Sequence, residues 1–288
     1  MRRPKNAAPG ERVRRPAASL ALGLLLAAGP VAAGDLAPPA NCNPPHQGLV
    51  TELTTAFERM HGVSLHPDTG RPGNCRPAAT DPGTAHGVRL NPIAWEPLAV
   101  ITHPDNPVRD ISLTQLRAVY DGQITNWRLL GGPDRPLELQ VRANTTSGVG
   151  RALRERLFDD PEHDFVAAAV HRTSDALEAA VETNPNALAV TGAGTARLRR
   201  VRQLSLAGRA ANDTNLRSGA YPLYRRLYIA DDPADPQRAA VRELIEFAHS
   251  PEGRRILRRQ GAIPYLDALS LAYGRTPTTG RAAEPPGQ

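Results

Sequence analysis

The stretch VRANTTSGVGRALRERLF, residues 141–158, joins the end of a strand to the start of a helix. Val149, Leu153 and Leu157 recur at the i, i+4, i+8 spacing of one helix face, which predicts an amphipathic helix over 149–157. Arginine and glutamate side chains occupy the rest of that helix. The stretch therefore predicts a strand–loop–helix unit with one buried face.

The loop before this helix carries groups that suit an anion. Thr145, Thr146 and Ser147 stand where an N-cap residue belongs, and Gly148 lets the backbone approach a ligand closely. A helix start presents unpaired N–H groups and the positive end of the helix dipole, and Arg142 adds a guanidinium with two parallel donors. The alternative interpretation is an ordinary capped helix that follows a strand and holds no ligand.

Strands alternate with helices through most of the remaining chain, which predicts an α/β architecture. Residues 66–92 and the segment 191–195, TGAGT, are predicted to be loops, because glycine, proline and polar residues dominate them. Helices are predicted near 49–60, 112–120, 174–181, 238–248 and 251–260, and strands near 63–65, 98–101, 137–141, 187–190 and 221–229.

The N-terminal segment has the organisation of a secretory signal peptide. Six basic residues precede an apolar run over 17–28, and the small residues Val31, Ala32 and Ala33 follow it. The apolar run is too short for a stable membrane-spanning helix. Cleavage near residue 33 predicts a mature protein that is periplasmic or secreted.

The positive charge of the chain does not indicate a nucleic-acid partner. The whole chain carries a formal charge of +6, but residues 1–33 hold six basic residues and one acidic residue, so about +1 is left for the mature protein. Lys5 is the only lysine, and the excess of arginine, alanine and proline is typical of a coding bias. No nucleic-acid binding is predicted.

Six segments, taken in chain order, carry a resemblance to a known family. The segments are LAVITHPDNPV (98–108), ISLTQLRAVYDGQITNWRLLGG (111–132), VRANTTSGVGRALRERLF (141–158), TNPNALAVTG (183–192), SGAYPLYRRLYI (218–229) and FAHSPEGRRILRRQGAIPY (247–265). On these segments the chain resembles the periplasmic phosphate-binding protein of the phosphate ABC transporter, of the type II periplasmic binding protein superfamily.

The resemblance implies a two-lobed α/β fold with the ligand cleft between the lobes. Lobe one would comprise residues 35–98 and 221–275, lobe two residues 99–220, and a disordered tail residues 276–288. It further implies a monomeric binding protein that holds inorganic phosphate or a similar oxyanion, uses no cofactor or metal, and passes the ligand to an ABC transporter permease.

In the second lobe the family's ligand positions fall on the segment quoted first. Arg142 takes the place of the phosphate-gripping arginine, and Ser147 and Gly148 match the serine and glycine of the following turn. Val149 stands where the family has threonine, so Thr146 or its neighbour Thr145 is expected to supply the missing hydroxyl.

The first lobe departs further from the family. Its first ligand turn falls on Cys42-Asn43-Pro44-Pro45, without a serine or threonine, and the second on GRPGNC at 70–75. Arg71 and Asn74 are the candidate ligands there, and Asp81 is the candidate for the aspartate that accepts a proton of hydrogen phosphate. For Arg71 and Asp81 the alternatives are a solvated loop arginine and a turn residue before proline.

The sequence also raises two alternatives to phosphate binding: protein interaction or sensing, and catalysis. The altered first lobe is also compatible with a binding fold that has lost its ligand and acts in protein interaction or sensing. An enzyme such as a phosphatase is not favoured, because the chain has neither the H-E-x-x-H spacing of a zinc site nor a G-x-S-x-G nucleophile turn.

Cys42 and Cys75 are the only cysteines, and in an exported protein such a pair most simply forms a disulfide. In the family alignment this bond would join the two ligand turns of lobe one. We expect intact-mass analysis under non-reducing conditions to find no free thiol. Cys42→Ser should lower the free energy of unfolding by roughly 3–4 kcal/mol. Two freely alkylated cysteines in the native protein would contradict the pairing.

Overall fold

The computed structural model describes residues 44–63, 65, 87, 89–143, 147–233, 235 and 237–273. Its sheet is built around one 14-residue strand, β1, to which four other strands pair directly. The strands are β1 (Arg89–Thr102), β2 (Asp110–Ile111), β3 (Glu138–Arg142), β4 (Ala169–His171), β5 (Ala187–Gly192), β6 (Arg202–Leu206), β7 (Tyr224–Asp231) and β8 (Ile263–Pro264).

Helices cover the sheet and connect its strands. Ser112 forms a capping box with Gln115, and Ser250 caps a helix whose first residue is Pro251, as the sequence predicts for that position. The helices are α1 (Pro44–His61), α2 (Leu113–Tyr120), α3 (Gly148–Leu153), α4 (Ser174–Thr183), α5 (Ala193–Ala196), α6 (Asp213–Arg217), α7 (Arg238–His249) and α8 (Pro251–Arg259), with 3₁₀ turns at Trp127–Leu130 and Tyr265–Tyr273.

Strand β1 changes its partners halfway along its length. Residues up to Pro97 pair antiparallel with β7, and from Leu98 onward the strand pairs with β5 and then also with β6. Pro92 lies at the register shift against β7, and Pro97 forms the last pair before the change, so both prolines stand where the ladder is interrupted. All residues from Ile93 to Thr102 are buried, as in a strand covered on both faces.

The remaining strands extend the sheet to either side of β1. The order is β2-β6-β1-β5-β3-β4, with β7 and β8 paired to the first half of β1. Strand β3 lies parallel to both β4 and β5: residues 138–140 pair with β5, and residues 140–142 pair with β4, so that Arg142 is the register partner of His171.

Separate apolar clusters form on the two sides of the partner change. The largest contains the segment from Leu98 to Ile101 with Trp127 and Leu188, whereas Ile93 and Ala94 pack in a second cluster with Phe57 and Phe247. A third surrounds Trp95. The architecture is the mixed α/β, two-lobed one that the sequence predicts. The residue ranges assigned to each lobe stay predictions, and residues 1–33 and 276–288 lie outside the described part of the chain.

Several sequence-based boundaries are wrong. Residues 89–92 belong to β1 instead of the predicted loop, and Val63 and Leu65 are not in a strand. The segment 191–195 forms the end of β5 and the start of α5. The helix predicted over 149–157 begins at Gly148 and changes to π geometry over Arg154–Phe158. Within the described ranges, no helix is long and apolar enough to cross a membrane.

A buried ion pair lies next to the partner change of β1. Glu96 and Arg225 are register partners on β1 and β7, and Arg225 Nε donates to Glu96 Oε2 at 2.5 Å. The Arg225 side chain is 1% exposed and that of Glu96 is 6% exposed. The Glu96 carboxylate also reaches Gly192 at the end of β5, where an added Cβ would overlap Glu96 Oε1.

Gly192→Ala tests how firmly this carboxylate is held. Because Glu96 is buried and paired, it cannot move aside cheaply, and we expect a loss of roughly 1–3 kcal/mol in the free energy of unfolding, measured by urea denaturation. Gly192→Ala combined with Glu96→Ala should cost less than the sum of the two single changes, since the overlap is then removed. Additive costs would show that the two residues do not compete for space.

Candidate functional site

Arg142, Ser147 and Gly148 lie on consecutive pieces of secondary structure. Arg142 is the last residue of β3, Ser147 is the N-cap of α3, and Gly148 is the first residue of that helix. All three are buried. Residues 144–146 of the connection between them, which include Thr146, lie outside the described residues.

The start of α3 is organised by Ser147. Its Oγ accepts a hydrogen bond of 3.2 Å from the backbone N–H of Gly150, which confirms the predicted N-cap. A hydroxyl that accepts one bond retains its own hydrogen as a donor. The first N–H groups of a helix have no acceptor within the helix, so those of Gly148 and Val149 suit an anion.

Arg142 is a buried cation. Arg142 is only 4% exposed to solvent. Burial, together with the nearby charge of Arg225, lowers the pKa of Arg142 to about 10, while the carboxylate of Glu178 acts in the opposite direction. The guanidinium therefore stays protonated at neutral pH, although in a setting that disfavours its charge.

Glu178 of α4 is the second buried carboxylate in this region, after Glu96. Thr191 Oγ1 donates to Glu178 Oε1 at 2.6 Å, Thr195 Oγ1 donates to the same oxygen at 2.8 Å, and Arg199 Nε donates to Oε2 at 3.3 Å. Burial raises the pKa of Glu178, which the two threonine hydrogen bonds oppose, and the charge of Glu96 raises it further. These interactions fix the carboxylate between α4, β5 and α5.

Two cations and two carboxylates therefore interact here: Arg142, Arg225, Glu96 and Glu178. They come from β3, β7, β1 and α4, and Arg199, which pairs with Glu178, adds a further cation to the network. Oppositely charged partners stabilise such buried groups. In the described ranges, no group of three or more His, Cys, Asp or Glu side chains is placed to hold a metal ion.

The sequence analysis missed three of these four groups. Arg225 and Glu96 are 129 positions apart, and only the pairing of β1 with β7 joins them. Charged residues inside otherwise apolar segments, such as Glu96 in IAWEPLAVIT, are the signal that could have identified them.

The other predicted site residues are not tested by this geometry. Arg71, Asn74, Asp81 and the cysteines Cys42 and Cys75 lie outside the described residues, so their roles stay predictions.

The variant Glu178→Gln tests whether the pKa of Glu178 is raised in the folded protein. Because the folded pKa of Glu178 lies above its unfolded value, the unfolded chain loses this proton first as pH rises. The stability of the wild type relative to Glu178→Gln should therefore fall as pH rises above the ordinary glutamate pKa of about 4.3, as measured by urea denaturation.

Asp267 provides a matched control with the opposite sign. Burial raises its pKa, but Arg258 and Arg254 outweigh that effect and lower it overall. The stability of the wild type relative to Asp267→Asn should therefore rise as pH increases towards the ordinary aspartate pKa of about 3.9, and it should be level above that pH. Equal trends for the two variants would contradict the assignment of Glu178.

Curated proteins that are similar in sequence to this chain are described as phosphate-binding proteins. The chain is 25% identical over 173 residues to the phosphate-binding protein PstS of Bacillus subtilis, a match that covers 59% of this chain and 55% of that protein. It is 25% identical over 196 residues to PstS of Pseudomonas aeruginosa, covering 60% and 59%. The matches thus span less than two thirds of the length of these relatives.

Solved structures share the fold at lower identity. A substrate-binding protein with bound phosphate from Clostridium perfringens, assigned to a phosphate ABC transporter, superimposes with a TM-score of 0.67 at 22% identity, over 78% of this chain and 96% of that one. An ABC-type phosphate transport receptor from Vibrio cholerae gives 0.59 at 19% identity, over 77% and 97%. Residues 76–252 match the model of the PBP superfamily domain, which is more than half of the chain. The chain belongs to the PBP superfamily.

Proposed function

We propose that this protein is an exported solute-binding protein that holds a small oxyanion, phosphate first, and delivers it to an ABC transporter. The observation that carries the proposal is the buried cation Arg142 at the end of β3, directly before the capped start of α3. The family and the phosphate-binding relatives support phosphate as the first ligand to test.

The chemistry of these residues suits a tetrahedral oxyanion. A guanidinium offers two parallel donors, and the hydroxyl of Ser147 and the first N–H groups of α3 offer further donors from a second direction. An oxyanion has enough acceptor oxygens to engage all of them. Arg71, Asn74 and Asp81 are proposed to contact the same ligand from the other lobe.

The proposed role is binding and release, without catalysis. The family is one of substrate-binding proteins. We propose that residues 1–33 direct export, that the mature protein is a periplasmic or secreted monomer, and that a transporter permease receives the ligand. A member that has lost its ligand and acts in protein interaction is the competing possibility, and a phosphate titration separates the two.

Arg142→Ala should abolish phosphate-induced stabilisation of the purified mature protein. A ligand at about 100 times its Kd stabilises the wild type by roughly 2.7 kcal/mol, which raises the Tm by roughly 5–10 °C in a protein of this size. Without Arg142 the shift should disappear, because the main anion-binding donor is lost. Thermal unfolding with and without phosphate measures it, and calorimetric titration gives the Kd.

Arg154 is the matched control, because it is equally buried in the same segment. It is 3% exposed, its Nε donates to the backbone oxygen of His163 at 2.6 Å, and its guanidinium lies over the Phe165 ring. Arg154→Ala should lower the Tm of the ligand-free protein and keep the phosphate-induced shift. The proposal fails if wild-type protein shows no shift, or if Arg142→Ala retains it.

A further inference from the structure

His171 stands directly beside Arg142 in the sheet. Strands β3 and β4 are parallel, and Arg142 is the register partner of His171. Gln140 precedes Arg142 by two residues on the same strand, so both side chains extend from the same face. His171 Nε2 lies 2.8 Å from Gln140 Oε1, which places the imidazole on that face as well. The backbone oxygen of His171 also accepts a 3.0 Å bond from Ala143 N–H.

The carboxylates on the neighbouring helix, α4, form ion pairs with an arginine. α4 packs against both β3 and β4, and its acidic residues are Asp175, Glu178 and Glu182. All three form ion pairs with Arg199. The hydrogen-bond partner of the imidazole is a neutral amide, and the charged group that acts on it across the strand pair is Arg142.

We propose that His171 is a pH-dependent member of the anion site, whose protonated imidazole adds a second positive charge beside Arg142 and strengthens anion binding in acid. The inference rests on the proposed function of Arg142 and extends it to a residue on β4. His171 acts here through the electrostatic potential of the site and needs no direct contact with the ligand.

The direction of the effect follows from thermodynamic linkage. Burial and the charge of Arg142 lower the pKa of His171 in the empty protein. A bound anion offsets the charge of Arg142 and so raises the pKa of His171, and the protein then takes up a proton as it binds the anion. Affinity must therefore increase as pH falls below the pKa of the bound state, and it levels off below the pKa of the empty state.

The experiment compares phosphate affinity of the wild type and His171→Gln from about pH 5 to about pH 8, the range in which a histidine titrates. Glutamine keeps a hydrogen-bonding group near Gln140 but cannot acquire charge. The ratio of the two association constants should be near one at the upper end and on the order of fivefold at the lower end, as expected for one added charge in a partly screened site. Changes in the ionisation of phosphate itself cancel in this ratio.

His249 is the matched control. It is half-buried at the end of α7, and its pKa is likewise lowered by burial and by an arginine, Arg254, although a backbone hydrogen bond to Pro92 opposes this. The ratio of wild type to His249→Gln should stay constant with pH. The same result for His171→Gln, with phosphate binding intact, would overturn the inference and leave the proposed function standing.

A second readout avoids any substitution. The pKa of the His171 ring, followed by NMR in the wild type, should rise when phosphate is added, and that of His249 should not. An unchanged pKa of His171 in protein that binds phosphate also overturns the inference. If the wild type binds no phosphate at any pH, the proposed function itself fails, and that outcome is distinct from the other two.

Discussion

The buried ion pair between Glu96 and Arg225 constrains the centre of the fold. It joins the two long strands β1 and β7 one residue before β1 changes its hydrogen-bonding partners. Isolated charges at such depth would cost several kcal/mol each, so the pair is stable only while both strands keep their register. A slip of one residue would point Glu96 to the opposite face and separate it from Arg225. The pair thus specifies how the two crossing strands align.

The proposed anion site is influenced electrostatically by this ion pair. Arg225 disfavours the charge of Arg142, and Glu178 favours it, so the state of one side chain depends on residues from β7 and α4. A bound oxyanion would add negative charge to this group of residues. In the proposed site, a histidine that is neutral without the anion would take up a proton when the anion binds, and this proton would offset part of the added charge.

The local part of the site could be predicted from the sequence, and the long-range part could not. Ser147 and Gly148 follow from capping chemistry within a few residues, and Arg142 follows from its place before that cap. Glu96 and Arg225 meet only through strand pairing across 129 positions, which no local pattern encodes. For the same reason β1 was predicted too short: Pro92 and Pro97 signal turns locally, but pairing with β7 extends the strand past them.

The position of Arg142 matters as much as its charge. Strand β3 pairs in parallel with β4 and β5, and Arg142 is the register partner of His171 on β4, so the backbone that carries this arginine is held before any ligand arrives. A donor that is already oriented loses little conformational entropy on binding, whereas a loop arginine would have to be ordered first. Burial of Arg142 lowers its pKa and thus works against its charge, but the same burial removes competing water from the guanidinium. The unfavourable free energy of burying Arg142 is compensated when the sheet folds, and the proposed binding step would then use a rigid and poorly solvated cation.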